Sequence, residues 1–328
     1  MFRHPNELPV EGALPAFDGA TAWLNSEPLT PAGLRGHVVL VSFGTYTCIN
    51  WIRSLPYVRA WADAYAGRGL TVVGVQTPEF EFEGDVDNVG RAIREMDVRY
   101  PVVVDNDYAV WQALDNHYWP ALYFVDAQGR IRHHHFGEGE YEQSEMVLQM
   151  LLREAGADVE QGLVRVAPAG VEAAADWASL GSSETYVGYG RAEGLASPEG
   201  VVPDERHVYS TPTALRRNQW SLSGAWRIGS VPALLDEPGG SIAYRFHARD
   251  LQLVMGPPNP GRPVRFTVRL DGEPPGPAHG IDVDAGGNGT ADYQRMYQLI
   301  RQPAPISDRR FEIEFLDAGI EAVVFTFG

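Results

Sequence analysis

The feature that most constrains the fold is an alternation of apolar, β-branched runs with amphipathic stretches in the first half of the chain. The run at 37–43, HVVLVSF, has the composition of a buried strand, and apolar residues at helical spacing follow from Cys48 to about Ala66. This pattern occurs twice more before a hairpin signal at 126–129 and a closing amphipathic helix at 141–157. Strands that alternate with helices predict a mainly parallel sheet covered on both faces, with an antiparallel hairpin at its end.

A change of character divides the chain. Residues 158–206 are rich in Gly, Ala, Ser and Glu and predict a loosely structured connection, with one helix at 170–179. Beyond them, short strands separated by Pro and Gly turns alternate apolar with polar residues, as in RFTVRL and FEIEFL. This alternation predicts an all-β jelly roll or sandwich. We therefore expect an α/β domain at 1–157, a connection at 158–206 and a β domain at 207–328.

The composition excludes several classes of partner. A formal net charge of −17 would repel both nucleic acid and an anionic membrane surface. No apolar run approaches the roughly 20 residues that a membrane-spanning helix needs, and the opening stretch MFRHPNELPVEG lacks the pattern of a signal peptide. We therefore predict a chain that is cytoplasmic as written, with no membrane partner and no cofactor.

Cys48 is the only cysteine of the chain, so an intramolecular disulfide is ruled out. It stands in the stretch TYTCINW, between a predicted strand and a predicted helix. Unpaired backbone N–H groups and the dipole at the start of a helix stabilise a thiolate. The position therefore indicates a reactive thiol, whereas a lone cysteine elsewhere is more often a small buried hydrophobe.

The chain resembles thioredoxin-like domains of the TlpA and DipZ type in four stretches of its first half: VVLVSFGTYTCINW, TVVGVQTPEFEFE, DNDYAVWQAL and NHYWPALYFVDAQGRIRHHHFGEGEYEQSE. The second half resembles the C-terminal part of DipZ-type cytochrome c biogenesis proteins, similar in fold to carbohydrate-binding modules, in ETYVGYGRAEG, VRLDGEPPGPAHGIDVDAGGNGT and FEIEFLDAGIEAVVFTFG. The resemblance implies an α/β thioredoxin fold, with a central mixed sheet and helices on both faces, plus an all-β jelly-roll or sandwich domain. That family is extracytoplasmic, so the resemblance and the missing signal peptide indicate different compartments.

The sequence departs from this family at three positions of the expected active site. The resemblance implies a second cysteine three residues after the first, which would resolve a mixed disulfide, but Trp51 stands there. It also implies a buried acid six residues before the first cysteine and an aromatic residue two places later, where this chain has Ser42 and Gly44. These departures argue against dithiol oxidoreductase activity.

Two elements of the family's site remain. One is Cys48 with the preceding turn of Thr45, Tyr46 and Thr47, and the other is Pro120 in the sequence Trp-Pro-Ala. In the family, the proline at this place follows a cis peptide bond and lies beside the reactive cysteine. The backbone before it, here that of Trp119, receives an extended substrate peptide. The alternative is that Pro120 only begins a strand.

Three interpretations of Cys48 follow. It is a monothiol that acts by disulfide exchange or through a sulfenic acid, with a protein or small-molecule thiol or disulfide as partner. It is a peroxidase-like thiol acting on a peroxide, because Thr45 supplies the Thr-x-x-Cys part of a peroxiredoxin motif, although Val41 replaces the proline of that motif. Or it is a relic in a redox-inactive fold kept for binding, in which Trp51 fills the old groove.

Other clusters of polar and aromatic residues have plainer explanations than a functional site. His133 and His135 share one face of a predicted strand, but no second ligand cluster accompanies them, so no metal is predicted. The acidic run at 79–85, EFEFEGD, lacks the spacing of a calcium loop and predicts a solvated loop. Aromatic residues predict either a groove around Cys48 or core packing, namely Tyr46, Trp51, Tyr118 and Trp119.

The β half carries aromatic residues of the kind on which sugar-binding modules stack pyranose rings. They are Tyr186, Tyr189, Trp220, Trp226, Tyr244, Tyr293 and Tyr297. Aromatic residues of a sandwich are more often part of the core. A glycan partner is therefore a hypothesis that depends on fold analogy.

Overall fold

The computed structural model describes residues 8–160, 162–259 and 261–328. The chain divides into two compact units, Met1–Glu172 and Ala173–Gly328, and this division falls inside the segment expected to be a connection. Among the described residues, no helix has both the length and the apolar character needed to cross a membrane.

The first unit alternates strands with helices, as the sequence predicts. Its strands are β1 (Gly12–Ala13), β2 (Ala22–Leu24), β3 (Val38–Gly44), β4 (Leu70–Gln76), β5 (Val102–Val104), β6 (Ala121–Val125) and β7 (Arg130–Phe136). Its helices are α1 (Ile49–Tyr65), α2 (Val86–Glu95), α3 (Ala109–Ala113) and α4 (Tyr141–Glu154).

These strands form one mixed sheet in the order β1-β7-β6-β3-β4-β5-β2. β3 runs parallel to β4 and antiparallel to β6, and β4 runs parallel to β5. Alternate residues of β3 belong to a core cluster that includes Val110 of α3, while α4 packs against β3 and β6. Every residue of β3 is buried, so both faces of the sheet are covered. The predicted thioredoxin fold is confirmed.

The second unit is all-β, also as predicted. Its strands are β8 (Thr185–Tyr186), β9 (Arg206–Tyr209), β10 (Gln219–Ile228), β11 (Ala233–Leu235), β12 (Ser241–Phe246), β13 (Asp250–Gly256), β14 (Val264–Leu270), β15 (Asn288–Ala291), β16 (Arg295–Arg301), β17 (Arg309–Phe315) and β18 (Glu321–Phe327). The pairings among them are antiparallel, in the order β15-β14-β17-β12-β10-β11-β18-β13-β16.

The long strand β10 joins the two layers of this sandwich. Its first half, Gln219–Ser223, pairs with β12, and its second half pairs with β9 from Gly224 onward. Gly224 has a φ of +94°, and a Cβ atom there would lie 2.8 Å from the Cα of Gly240. Only glycine permits this turn of the strand at such close approach.

The connection between the predicted domains differs from the expectation. The helix predicted at 170–179 is wrong, because only Gly170–Glu172 forms a single 3₁₀ turn. The segment predicted to be loosely structured contains β8, which pairs with β18. A two-residue strand is too short to show the alternation that identifies a strand in sequence.

Candidate functional site

Cys48 lies where the sequence places it, between the end of β3 and the start of α1. It is the residue that caps the N-terminus of α1, and its side chain is partly exposed. Its N–H donates to the carbonyl of Thr45 at 3.0 Å and closes the turn, while its carbonyl accepts the first helical hydrogen bond from Ile52 at 3.0 Å. Because α1 is 17 residues long, the unpaired N–H groups and dipole of its first turn favour a negative charge at this sulfur.

The structure brings Cys48 next to the proline segment. The Trp119–Pro120 peptide bond is cis, as the resemblance implies. The Sγ of Cys48 lies 3.9 Å from the carbonyl oxygen of Trp119. Trp119 is itself anchored, because its indole N–H donates to the carbonyl of Thr77 at 3.0 Å and its ring packs against Trp111. The thiol is therefore partly open to solvent and adjacent to the backbone before Pro120.

The three departures from the family form one packing arrangement. Trp51 is buried, with 6% of its surface exposed, and does not line a groove. A Cβ atom at Gly44 would lie 2.1 Å from the Cδ1 of Trp51, so the indole occupies the space that any side chain at position 44 would need. Trp51 and Gly44 are thus complementary, and neither can change alone without a cost in packing.

Ser42 lies beside the same indole. A cavity of about 10 Å³ is lined by Ser42, Trp51, Gly74, Val75, Gln76, Ile93, Tyr100 and Val102. The hydroxyls of Ser42 and Tyr100 are buried and make no hydrogen bond with any described residue. A serine hydroxyl does not ionise near neutral pH, so position 42 offers no acid to a thiol.

Tyr46 and Thr45 lie inside the protein. Tyr46 is fully buried, with its ring 6.3 Å from that of Phe82. The hydroxyl of Thr45 accepts a hydrogen bond from the amide of Gln76 at 2.9 Å. Both residues therefore support the turn before Cys48 from the protein interior and do not line an open groove.

Glu83 is the functional candidate that the sequence analysis missed. The loop at 79–85 was predicted to be solvated, and this is wrong for Glu83, which is wholly buried in a 3₁₀ turn. Its carboxylate accepts hydrogen bonds from the hydroxyl of Thr47 at 2.5 Å and from the N–H groups of Glu79 at 2.7 Å and Phe80 at 2.9 Å. The alternation of Glu with Phe in EFEFE was the available signal, because Phe80 is buried and Phe82 partly buried, which brings the segment against the core.

The environment of Glu83 acts on its ionisation in two directions. Burial raises the pKa of the Glu83 carboxyl above its usual value, and the hydrogen bonds that it accepts, including one from Thr45, offset only part of this rise. No ion pair with Glu83 occurs among the residues that the structure describes. In its ionised form, the charge is therefore balanced by the dipoles of hydroxyl and N–H groups alone among the described residues.

Two aromatic side chains on the same edge of the sheet face solvent. Tyr118 is 51% exposed and Phe136 is 38% exposed, with ring centroids 4.8 Å apart. Phe136 is held beside the proline segment, because the N–H of the following Gly137 donates to the carbonyl of Pro120 at 2.9 Å. Of the four aromatic residues considered for a groove, Tyr118 and Trp119 lie at the surface and Tyr46 and Trp51 lie in the core.

The histidines at 133–135 contact neighbouring side chains and form no metal site with described residues. The imidazole of His134 lies 2.7 Å from the carboxylate of Glu11, and the ring of His133 packs 5.2 Å from that of Phe124. Within the described ranges, no three His, Cys, Asp or Glu side chains are grouped as metal ligands would be.

Most aromatic residues considered for glycan stacking belong to the core of the second unit. Trp220, Trp226, Tyr244, Tyr293 and Tyr297 are buried. Tyr186 is covered by the guanidinium of Arg191 at 3.4 Å from the ring centroid, and Tyr189 is partly exposed with its hydroxyl on Asp204. These seven residues therefore present no shared aromatic platform.

Two family descriptions match the chain, one in each unit. Residues 9–149 match the Redoxin family, and residues 182–328 match the family described as thioredoxin-like C-terminal domain. Protein DipZ of Mycobacterium tuberculosis is 35% identical over 268 residues, which cover 80% of this chain and 37% of DipZ. The chain thus spans little more than a third of the length of that relative.

Two further relatives match the first unit. Thiol-disulfide oxidoreductase YkuV of Bacillus subtilis is 32% identical over 124 residues, covering 38% of this chain and 83% of YkuV. The solution structure of a thioredoxin-like protein in the oxidised form is 31% identical over 44% of this chain and 96% of that protein, with a TM-score of 0.41. The chain belongs to the thioredoxin-like thiol-disulfide oxidoreductase family of the TlpA and DipZ type.

The complementarity of Trp51 and Gly44 predicts a non-additive effect on stability. Trp51→Cys should lower the free energy of unfolding by about 3 kcal/mol, because it empties a buried indole site. Gly44→Phe should also be destabilising, because its side chain meets the indole. The double variant should be more stable than the sum of the two changes predicts, by at least about 1 kcal/mol, because the phenyl ring then occupies the emptied space.

Urea-induced unfolding of the four proteins, followed by circular dichroism, measures this coupling. Additivity within about 0.5 kcal/mol would show that the two positions pack independently.

Proposed function

We propose that this chain is a monothiol thioredoxin-like protein, which captures a cysteine of an extended protein segment as a mixed disulfide on Cys48. The observation that carries the proposal is the position of the Cys48 sulfur. It is partly exposed at the start of a long helix and lies 3.9 Å from the Trp119 carbonyl. The thiol that reacts and the backbone that would hold the substrate are therefore neighbours.

The chemistry needs one sulfur from the protein and one from outside. The Cys48 thiolate attacks one sulfur of a substrate disulfide, so that a new sulfur–sulfur bond forms as the substrate bond breaks. The second substrate sulfur leaves as a thiolate and takes a proton from water. An external thiolate then attacks the captured substrate sulfur, becomes bonded to it and releases Cys48 as a thiolate. Trp51 supplies no sulfur for an internal release, so the adduct persists until an external thiol arrives.

The backbone of Trp119 supports binding of an extended segment. Its N–H donates no hydrogen bond to any described residue, and its carbonyl has the Cys48 sulfur as its contact. One N–H and one carbonyl of a single residue are the pair that an antiparallel strand engages. Tyr118 and Phe136 provide exposed apolar surface beside them for a substrate side chain.

The charge at this edge of the sheet supports a cationic partner. The strand directions bring together the segments 45–48, 77–85, 105–108, 114–120 and 137–140, which contain no Lys or Arg. They carry nine carboxylates, of which Glu83 and Asp105 are buried and Glu138 pairs with Arg53 at 3.4 Å. The other six are exposed or partly exposed: Glu79, Glu81, Asp85, Asp107, Asp115 and Glu140. A surface of one sign attracts the opposite charge and accelerates association.

A redox-inactive binding protein is the second candidate. It is favoured by the burial of Trp51 over Gly44, which replaces the resolving cysteine with core packing. In that case the same edge would bind an extended segment without a covalent step. A Cys48→Ser variant that retained all affinity for a captured partner would favour this second function.

The monothiol function predicts that Cys48 reacts as a thiolate near neutral pH. The rate of alkylation by iodoacetamide, measured against pH, should have its midpoint at least about one unit below the value of about 8.5 for an ordinary cysteine. The same cysteine in urea-unfolded chain is the matched control, and Cys48→Ser gives the background. Identical folded and unfolded profiles, or no labelling of the folded chain, would contradict the proposal.

The cationic-partner proposal predicts charge selectivity in mixed-disulfide formation. Two peptides of equal length carry one cysteine activated by 5-thio-2-nitrobenzoate, flanked by Lys in one and by Glu in the other. The Lys peptide should react at least about tenfold faster at low salt, and the advantage should shrink as ionic strength rises. Rates with glutathione correct for the intrinsic reactivity of each peptide. Equal corrected rates would remove the charge preference while leaving capture by Cys48 intact.

A further inference from the structure

Glu83 is a buried ionisable group at the site that the proposed thiol step does not use. It belongs to the loop after β4, whereas the family's acid would stand at position 42 of β3. We propose that Glu83 is a positioning residue for Cys48, an acid moved to a neighbouring loop that holds the cysteine turn and sets the ionisation of the thiol. This inference rests on the proposed function in that Cys48 must be reactive for its ionisation to matter.

The contacts of Glu83 reach both ends of the turn that presents Cys48. Thr47, whose hydroxyl donates to Glu83, is bonded directly to Cys48. Thr45, whose hydroxyl also hydrogen bonds to Glu83, supplies the carbonyl that accepts the Cys48 N–H. One carboxylate therefore holds the residue before the cysteine and the residue that closes the turn.

The second carboxylate oxygen of Glu83 is also fully hydrogen bonded. This oxygen accepts from the N–H groups of Glu79 and Phe80, and the side-chain amide of Gln76 donates both to the Thr45 hydroxyl and, at 3.4 Å, to the Glu83 carbonyl. Two hydroxyls and two N–H groups match the roughly four acceptor sites of an ionised carboxylate. The donor set is thus complete for the charged form of Glu83.

The surroundings of Glu83 leave its negative charge without a cation. Tyr108, from the segment after β5, lies within its field: burial raises the pKa of the Tyr108 phenol, and the negative charges of Glu83, Glu79 and Asp105 raise it further. No Lys or Arg occurs in the segments 45–48, 77–85 and 105–108. An uncompensated buried carboxylate beside a thiol disfavours the thiolate, so Glu83 acts against the start of α1. Two effects on the Cys48 thiol are therefore opposed: the start of α1 favours the thiolate, and the charge of Glu83 disfavours it.

Glu83→Gln tests the electrostatic part with little change of shape. The amide oxygen of Gln accepts from the two N–H groups, and its NH₂ group donates to the threonine hydroxyls, which accept as readily as they donate. Loss of the negative charge should move the alkylation midpoint of Cys48 down by about one pH unit, which is about tenfold more thiolate below the midpoint. A merely structural role would leave this midpoint unchanged.

Asp105→Asn is the matched control. Asp105 is a buried carboxylate on the same edge, and like Glu83 it accepts two N–H groups, from Val110 and Trp111, and a threonine hydroxyl, that of Thr77. It has no contact with the cysteine turn, so this variant should keep the wild-type midpoint. Equal midpoints in wild type and a folded Glu83→Gln chain, or equal shifts in both variants, would overturn the proposal.

Thr47→Val tests the positioning part and decides the matter if the Glu83→Gln chain does not fold. It is close in volume and removes the hydroxyl that links Glu83 to the residue before Cys48. Amide hydrogen exchange at Cys48 should accelerate at least about threefold, because the turn closed on Thr45 opens more often. Unchanged exchange would refute the positioning role. Failure of wild-type Cys48 to react with any probe would instead contradict the proposed function, whatever the variants do.

Discussion

The arrangement of this protein's thiol depends on the pairing of one central strand. β3 is buried along its whole length between β4 and β6, in a register that sets Gly44 opposite Gln76 and Phe43 opposite Ala121. The segments that follow β3 and β4 and the segment that precedes β6 must therefore emerge side by side. Those segments contain Cys48, Glu83 and Pro120. Residues far apart in the sequence therefore meet because three strands are in register. The local motifs, such as the cysteine turn and the cis-proline segment, only orient the side chains and backbone groups at that edge.

The parts of the site that the sequence predicts are those with a local signature. The apolar run of β3 and the helical spacing of α1 predicted Cys48 at a helix start, as the structure has it. Its proximity to Pro120 was implied by the family resemblance alone, through the Trp-Pro-Ala segment. For Glu83 the local signal was only the alternation of Glu with Phe in EFEFE, which does not indicate which glutamate is buried. Carboxylates are ordinarily exposed, and its burial depends on a donor 36 residues away, in the turn of Thr47. Donors this distant in the sequence cannot be identified from composition or spacing.

The sequence also could not predict which aromatic residues are buried. Tyr46 and Trp51 flank the cysteine in sequence and were candidates for a groove, yet both are core residues: Tyr46 packs against Phe82, and Gly44 leaves room for Trp51. The same holds in the β unit, where Trp220 and Trp226 fill the sandwich. Whether an aromatic ring packs inward depends on the neighbour that makes room for it, and that neighbour is known only from the fold. The fold class itself needed no such knowledge, since alternation along the chain was enough.

A protein with a single exposed thiol faces the hazard of coupling to a second copy of itself through oxidation. The acidic segments around Cys48 reduce this hazard. For two Cys48 sulfurs to meet, the same acidic surface of two molecules must come into contact. Six exposed or partly exposed carboxylates on each side, with no Lys or Arg in the same segments, oppose that encounter at low and moderate salt. The acidic surface that would attract a basic partner thus also disfavours a disulfide between the Cys48 residues of two copies of this chain.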